Sequence, residues 1–393
     1  MRQLKENVLE VGAIDWDRRM FDELIPLPHG TSYNAYLVKG SEKTALLDTA
    51  DPTKLDVLLD NLVKAGVRTI DYIVSHHGEQ DHSGSIEQVQ MLYPDSKVVT
   101  NAKCKEMLVE HLRLADEAFM VVEDGQTLSL GDKTLQFILT PWVHWPETMC
   151  TYLAEDKILF SCDFFGAHRA ASALFVDDEA TVYEAAKRYF AEIMMPFRGP
   201  IRNNLKKLAA LEVDMIAPGH GQVYNRPAFI LDAYRDWVGD AVKNEVVLAY
   251  ISMHGSTKTM VEYFIGALID RGITVLPFNL RDADTGQLAI ALVDTATIVI
   301  GSPTVLTGPH PKAAYAAMLA NVLRPKAKLA GIIGSYGWAG KMPEQLTAIL
   351  SNLKVELLDP VLAHGYPKDA DFEALDRLAD RIAAGHKELG ILH

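Results

Sequence analysis

Cysteine is scarce: there are three in 393 residues, Cys104, Cys150 and Cys162, and no C-x-x-C pair. That excludes a disulfide framework and a four-cysteine iron site carried on this chain. Long apolar runs are also missing, and the amino terminus MRQLKENVLEVGAIDWD has no continuous hydrophobic stretch, so neither a membrane span nor an export leader is expected. Positive charge is in deficit. Lys and Arg number 38 against 52 Asp and Glu, a net charge of −14, which disfavours nonspecific attraction to nucleic acid or anionic lipid. Small molecules or proteins are the expected partners, and the cytoplasm the expected location. What is present is ordinary globular material, 49% hydrophobic and 23% charged, in a chain long enough for two domains.

The two halves follow different rhythms. The first shows short apolar runs broken by Asp and Gly, among them YNAYLV, TALLDTA, TIDYIVS, TLQFILTP and KILFSCD, with helix-like stretches such as PTKLDVLLDNLVKAG between them. Two sheets flanked by helices, a layered α/β sandwich, are predicted. From Val246 the pattern becomes regular strand–helix alternation, read as a doubly wound parallel sheet. The boundary is placed in the polar stretch Gly239 to Glu245, giving domains 1–243 and 244–393.

The strand TIDYIVS runs into HHGEQDH, which puts His77, Glu79, Asp81 and His82 at its carboxyl end. Three more strand-like runs end in His144, Asp163 and His220, and strand ends on one sheet edge lie close in space. Four imidazoles and three carboxylates exceed what one mononuclear site requires, so two metals are implied. Three carboxylates offset three of the four charges of a di-ferrous pair. Zinc, which favours nitrogen and sulfur, would more often have His where Glu79 stands. His76 alternates away from His77 and reads as core-facing or as a support for the ligands. Cys162 alternates away from Asp163 and reads as a buried small hydrophobe. His29 is a candidate for lining the site, with Trp145 and His168 as further neighbours.

In the second half, VVLAYIS is followed by Ser252-Met253-His254-Gly255-Ser256-Thr257 and then a helix. Hydroxyls, a flexible backbone and helix amino-terminal N–H groups make a phosphate cradle. The loop matches neither the dinucleotide nor the nucleoside-triphosphate fingerprint, so a monophosphate fits better. Later strand ends carry Ser302-Pro303-Thr304 through Thr307 and Gly308, and Ser335-Tyr336-Gly337-Trp338-Ala339-Gly340. Small residues there let the backbone approach a ring, and Tyr336 and Trp338 offer faces for stacking. Three such loops on one edge predict a flavin mononucleotide (FMN) site.

With these motifs in their order, H-x-E-x-D-H at His77 to His82, then His144, Asp163, His220 and the three loops, the sequence resembles the flavodiiron proteins over nearly its whole length. The resemblance implies a metallo-β-lactamase-like αββα sandwich followed by a flavodoxin-like domain. It also implies His77, Glu79 and His144 on one iron, Asp81, His82 and His220 on the other, and Asp163 bridging. In some members the histidine matching His82 is not bound to iron. His76 stands where the family often has Asn, and Ala339 where Gly is frequent. The implied activity is reduction of dioxygen to water or of nitric oxide to nitrous oxide, with rubredoxin or a reduced deazaflavin coenzyme as external electron donor. A head-to-tail homodimer, alone or paired into a dimer of dimers, is implied too. The rival readings are a dinuclear zinc hydrolase with a regulatory flavodoxin-like domain, and a redox or nitric oxide sensor with negligible turnover. Glu79 argues against the first, and the lack of a recognisable DNA-binding or signalling module against the second.

Overall fold

In the computed structural model every residue except 113 and 339 is described. The chain forms two compact units, one of Met1–Phe190 with Phe197–Val238, the other of Ala191–Pro196 with Gly239–His393.

Period-2 alternation builds the first unit. Its seven-stranded sheet has the spatial order Arg2–Lys5, Val8–Glu10, Tyr36–Lys39, Thr44–Leu47, Tyr72–Val74, Lys97–Thr100, Phe119–Val121. Ala45, Leu47, Val74 and Val99 point to one face and meet Phe137, Leu153, Ile158 and Phe160 of a second, five-stranded sheet. The alternate residues Leu46, Ile73 and Val98 point to the other face and pack with Leu58 and Leu62 of helix Leu55–Lys64, Ile86 and Val89 of helix Ile86–Leu92, and Cys104 and Leu108 of helix Ala102–Leu112. Each fully buried Leu, Ile or Phe contributes roughly 1.5–3 kcal/mol over its exposed state, so a one-residue slip in any of these strands is strongly disfavoured. The second sheet runs Thr127–Ser129, Thr134–Leu139, Met149–Leu153, Ile158–Cys162, Met215–Pro218. Helices Glu179–Tyr189, Arg198–Leu208 and Pro227–Val238 follow its last strands, with Tyr234 and Trp237 fully buried against Phe190. All three cysteines are buried and free.

The second unit is a parallel sheet in the order Thr274–Asn279, Lys243–Tyr250, Thr295–Val305, Leu329–Tyr336, Glu356–Leu357, with Val361–His364 continuing the last position. In chain order that is 2-1-3-4-5, the flavodoxin-like doubly wound arrangement. The central strands are continuous buried runs, as expected of a parallel sheet covered on both faces. Pro277, which cannot donate to a ladder, sits on the edge strand Thr274–Asn279. Helices Ser256–Asp270 and Asp369–Glu388 cover one face through Met260, Phe264, Leu375, Leu378 and Ile382. Helices Thr285–Leu292 and Pro311–Leu323 pack on the other. The sheet order reverses between Lys243–Tyr250 and Thr295–Val305, and a crevice forms beyond the carboxyl ends of those strands.

Candidate functional site

In the first unit, strand Tyr72–Val74 runs into His76 and His77, and the chain coils at once into the turn Gln80–Ser83, which carries Asp81 and His82. Strand Ile158–Cys162 ends at Asp163, and Met215–Pro218 leads to His220. Tyr36 Oη and Asn34 Nδ2 both donate to the carbonyl of Pro218 and hold that last loop in place. Gly219 serves a close approach there, since a Cβ would stand 2.6 Å from His82 Cε1.

The seven residues converge into two groups that share one carboxylate. Asp163 Oδ2 lies 3.1 Å from His144 Nε2 and 3.4 Å from His77 Nε2, whereas its Oδ1 lies 2.9 Å from His82 Nε2 and 3.4 Å from His220 Nε2. Glu79 completes the first group, 3.1 Å from His77 Nε2 and 3.2 Å from His144 Nε2. Asp81 completes the second, 3.1 Å from His220 Nε2 and 3.5 Å from His82 Nε2. All four imidazoles thus turn Nε2 inward. Five of the seven residues are buried, and Glu79 and His144 are partly so.

Such a concentration of carboxylate in a dry site requires compensating positive charge. Without metal the imidazoles supply it by holding protons. Burial opposes charge on His144 and His220, but hydrogen bonds to Asp163 and further carboxylates push them up to about 9 and about 10. Burial likewise opposes charge on Asp163, and the surrounding histidines still hold its carboxyl well below the usual range. Among the described residues the buried Asp81 carboxylate meets no donor outside the cluster, its neighbours being the His220 and His82 ring nitrogens. Inward Nε2 atoms, Asp81 oxygens with no donor outside the cluster and one carboxylate presented to both sides fit two hard divalent cations.

Several neighbours were not legible as site residues. His77 Nδ1 meets Glu147 Oε1 at 2.7 Å, and His220 Nδ1 donates to the Ser32 carbonyl at 2.7 Å. His76 faces Asp48 Oδ2 and Thr151 Oγ1, each at 2.7 Å, and so braces the strand ends away from the cluster. Cys162 is buried and free, and its sulfur shares a neighbourhood with Asp48 and His82, with candidate ligand atoms within 4.8 Å of one another. Its left-handed φ of 50° ends the strand geometry at that residue. Burial, and then Asp48 and Asp163, push its thiol well above the usual range, so it stays protonated. His29 is a correction as well. Its side chain is exposed, and no interaction joins it to the cluster among the described residues. The neighbouring place belongs to His168, whose ring lies 4.7 Å from that of His220 and whose Nδ1 is 2.8 Å from Thr31 Oγ1. Burial and the adjacent His220 push His168 well below the usual imidazole range, so it is neutral. Phe21 and Tyr33 border the second group, and Trp145 the first, 4.9 Å from the His77 ring.

In the second unit a cleft of about 300 Å³ lies over the strand ends. Ser252, Met253, His254, Ser256 and Thr257 line one side, Pro303 and Thr304 another, and Ser335, Tyr336, Gly337 and Trp338 a third. Gly255, with φ 95°, is the left-handed residue from which the helix Ser256–Asp270 starts, so that the helix amino terminus opens into the cleft. Thr257 Oγ1 and Ser335 Oγ are 3.0 Å apart and tie the first and third loops. Among the described residues nothing lies within 4 Å of the place a Gly337 Cβ would take, which leaves that backbone approachable by a ring. These features fit a flat aromatic group bearing a phosphate.

Five expected contacts are not in the lining, Gly255 among them. Ser302 is fully buried, and its Oγ donates to the Pro303 carbonyl and accepts from His310 N–H. Thr307 sits with Leu306 at the tip of a two-residue hairpin, φ 70° and 48°. Gly308 packs against Gln345 and Gly340 against Thr304, at distances where a Cβ would collide. Ala339 lies outside the described residues. A fourth loop contributes instead: Gly365 joins the lining, and His364 stacks on Tyr336 with ring centroids 5.0 Å apart.

Comparison with known proteins follows the same lines. The family model "ODP family beta lactamase" matches residues 31–221. A coenzyme F420H(2) oxidase of Methanothermobacter marburgensis is 33% identical over 400 residues, covering 97% of this chain and 98% of that protein. A nitric oxide reductase of Moorella thermoacetica is 33% identical over 393 residues, with coverage of 97% and 98%. Among solved structures, the rubredoxin oxygen:oxidoreductase from Desulfovibrio gigas superposes with a TM-score of 0.94 at 32% identity, covering 98% of both chains. Among the described residues no helix is long and apolar enough to cross a membrane.

Proposed function

The chain belongs to the flavodiiron proteins, and from that premise we propose that it is a cytoplasmic enzyme reducing dioxygen to water, nitric oxide to nitrous oxide, or both. Two irons are assigned to the cluster, one to His77, Glu79 and His144 and the other to Asp81, His82 and His220, with Asp163 bridging. FMN is assigned to the cleft, its phosphate at Ser252 to Thr257 and its ring near Gly337, Tyr336 and Trp338. The observation that carries this reading is Asp163, which gives one carboxylate oxygen to each triad. Such a division supports a dinuclear site, and Glu79, where zinc would more often have His, favours iron over the dinuclear zinc hydrolase.

When bound, the two irons and the flavin supply one electron each and two more, enough for dioxygen to be taken to water without release of peroxide. The chain's own residues prepare that chemistry. Glu147 and the Ser32 carbonyl fix His77 and His220 in the tautomer that carries its proton on Nδ1 and frees Nε2. Phe21, Tyr33 and Trp145 wall the cluster with apolar rings, which favours a small diatomic over a charged or bulky substrate. His168, neutral and buried, has Nε2 without a partner and can hydrogen-bond a ligand beside the second triad. Rubredoxin or a reduced deazaflavin coenzyme is the proposed donor, and a head-to-tail homodimer, single or paired, the proposed working form.

The test is steady-state turnover of the iron-loaded, FMN-bound protein with excess reduced rubredoxin, with dioxygen and nitric oxide consumption compared in the same cell. Turnover with about two irons per chain is expected. A preference beyond about tenfold, roughly 1.4 kcal/mol in barrier, assigns the substrate. Zinc retained with hydrolase activity, and no turnover of either gas, would overturn the reading.

A further inference from the structure

The four imidazoles are alike on their inner side and unlike on their outer side. His77 Nδ1 is 2.7 Å from the carboxylate of Glu147, whose Oε1 also accepts the Gly78 N–H at 3.0 Å. His220 Nδ1 donates to a neutral peptide carbonyl, that of Ser32, also at 2.7 Å. His82 Nδ1 is buried without a partner, and no hydrogen bond reaches His144 Nδ1 among the described residues. Glu147 itself is fully buried in its side chain, its Oε2 has no partner, and its carbonyl is held by Asn101 Nδ2. A buried carboxylate with one oxygen unsatisfied is costly for a fold to keep, so its partner has to be accounted for.

We propose that Glu147 is a positioning residue that makes the two metal positions unequal, by hydrogen-bonding its carboxylate directly to His77, whereas Asp48, the carboxylate beside His82 of the second triad, gives both its oxygens to His76 and none to a ligand imidazole. This inference rests on the diiron assignment above. A carboxylate accepting from Nδ1–H fixes the ring and raises the basicity of Nε2. The position served by His77, Glu79 and His144 is then the tighter one, and an iron there is the harder of the two to reduce. The position served by Asp81, His82 and His220 is the looser one and the first to empty.

The experiment uses the full chain with FMN bound and ferrous iron loaded without oxygen. In Glu147→Gln an amide oxygen can still accept from His77 Nδ1–H and Gly78 N–H, so ring orientation is retained and charge is lost. Chelator competition on this variant is expected to show one iron bound about 10- to 100-fold more weakly than in the parent while the other is unchanged. One of the two iron potentials should also shift positive. Two irons bound as in the parent, or both weakened equally, would overturn the proposal. A measurement on the unaltered protein guards against a variant that does not fold. After chelation to one iron per chain, anomalous scattering should locate the survivor at His77, Glu79 and His144, and a survivor at His82 and His220 would overturn the proposal. A parent chain that never binds a pair of irons would instead remove the diiron assignment itself.

Discussion

The two candidate sites are built on opposite plans. The metal cluster draws seven residues from four separate strand ends into a largely dry interior, where every charge answers another. The cleft of the second unit is a surface feature assembled from adjacent loops of one parallel sheet, with Met253 51% and Trp338 76% exposed. Metal ligands need fixed distances and a low dielectric, which only a packed framework supplies. A flavin brings its own chemistry and needs a shelf, a phosphate cradle and access for an electron donor. Damage to the first should therefore be severe and shared between both metals, and damage to the second graded and local.

The sharpest way to break that contrast is Asp163→Asn. It removes the carboxylate common to both triads, and turnover should fall by more than the roughly 10- to 100-fold that loss of an outer partner costs, with iron content falling and FMN content unchanged. FMN loss on the same scale would show the two plans to be one. Next is the pH response of the metal-free chain. His144 and His220, raised from 6.5 to about 9 and about 10, contribute stability that is complete below pH 6.5 and lost as pH rises through those values. Glu79 and Asp163 are lowered, so their contribution is present above 4.5 and 3.8 and is lost as pH falls further. Thermal unfolding should therefore weaken above pH 6.5 by the order of 1 kcal/mol or more, and iron loading should cancel that loss. A flat profile in the metal-free chain would contradict the charge balance described. The smallest effect is expected for Trp338→Ala. FMN affinity, followed by fluorescence on release, should fall by no more than about tenfold, since one aromatic face contributes about 0.5–1.5 kcal/mol, and iron content should not move.

How much of this was readable in advance follows the same division. The H-x-E-x-D-H run and the acidic or histidine residues at later strand ends stood out because functional side chains gather at strand ends, although these ends come from two facing sheets and not from one edge. Glu147 was hidden because its partner His77 is 70 residues away and nothing in WPETM separates a buried carboxylate from a solvated one. Ser32 was hidden for a like reason: it acts through its backbone carbonyl, which has no sequence signature, whereas His168 was among the candidate neighbours but could not be ranked above His29. Three of the cleft's loops stood out by their small residues. The fourth, at His364 and Gly365, closes a strand of four residues, too short to announce itself by period. Ser302 misled in the opposite way, because it looks like loop chemistry and is in fact the buried end of a long strand.

The placement of sulfur has one more consequence. An enzyme that handles dioxygen four electrons at a time risks stray peroxide, which attacks thiolates first. Here burial pushes the Cys104 and Cys150 thiols up to about 12 and Cys162 well above its usual range, so none offers a thiolate for conversion to sulfenic acid. Met91, Met1 and Met318 are open to solvent elsewhere, and Met253 is the exposed sulfur at the lip of the cleft. Its sulfoxide should accumulate when the donor runs short, and should serve as a tally of reductions that stopped before water.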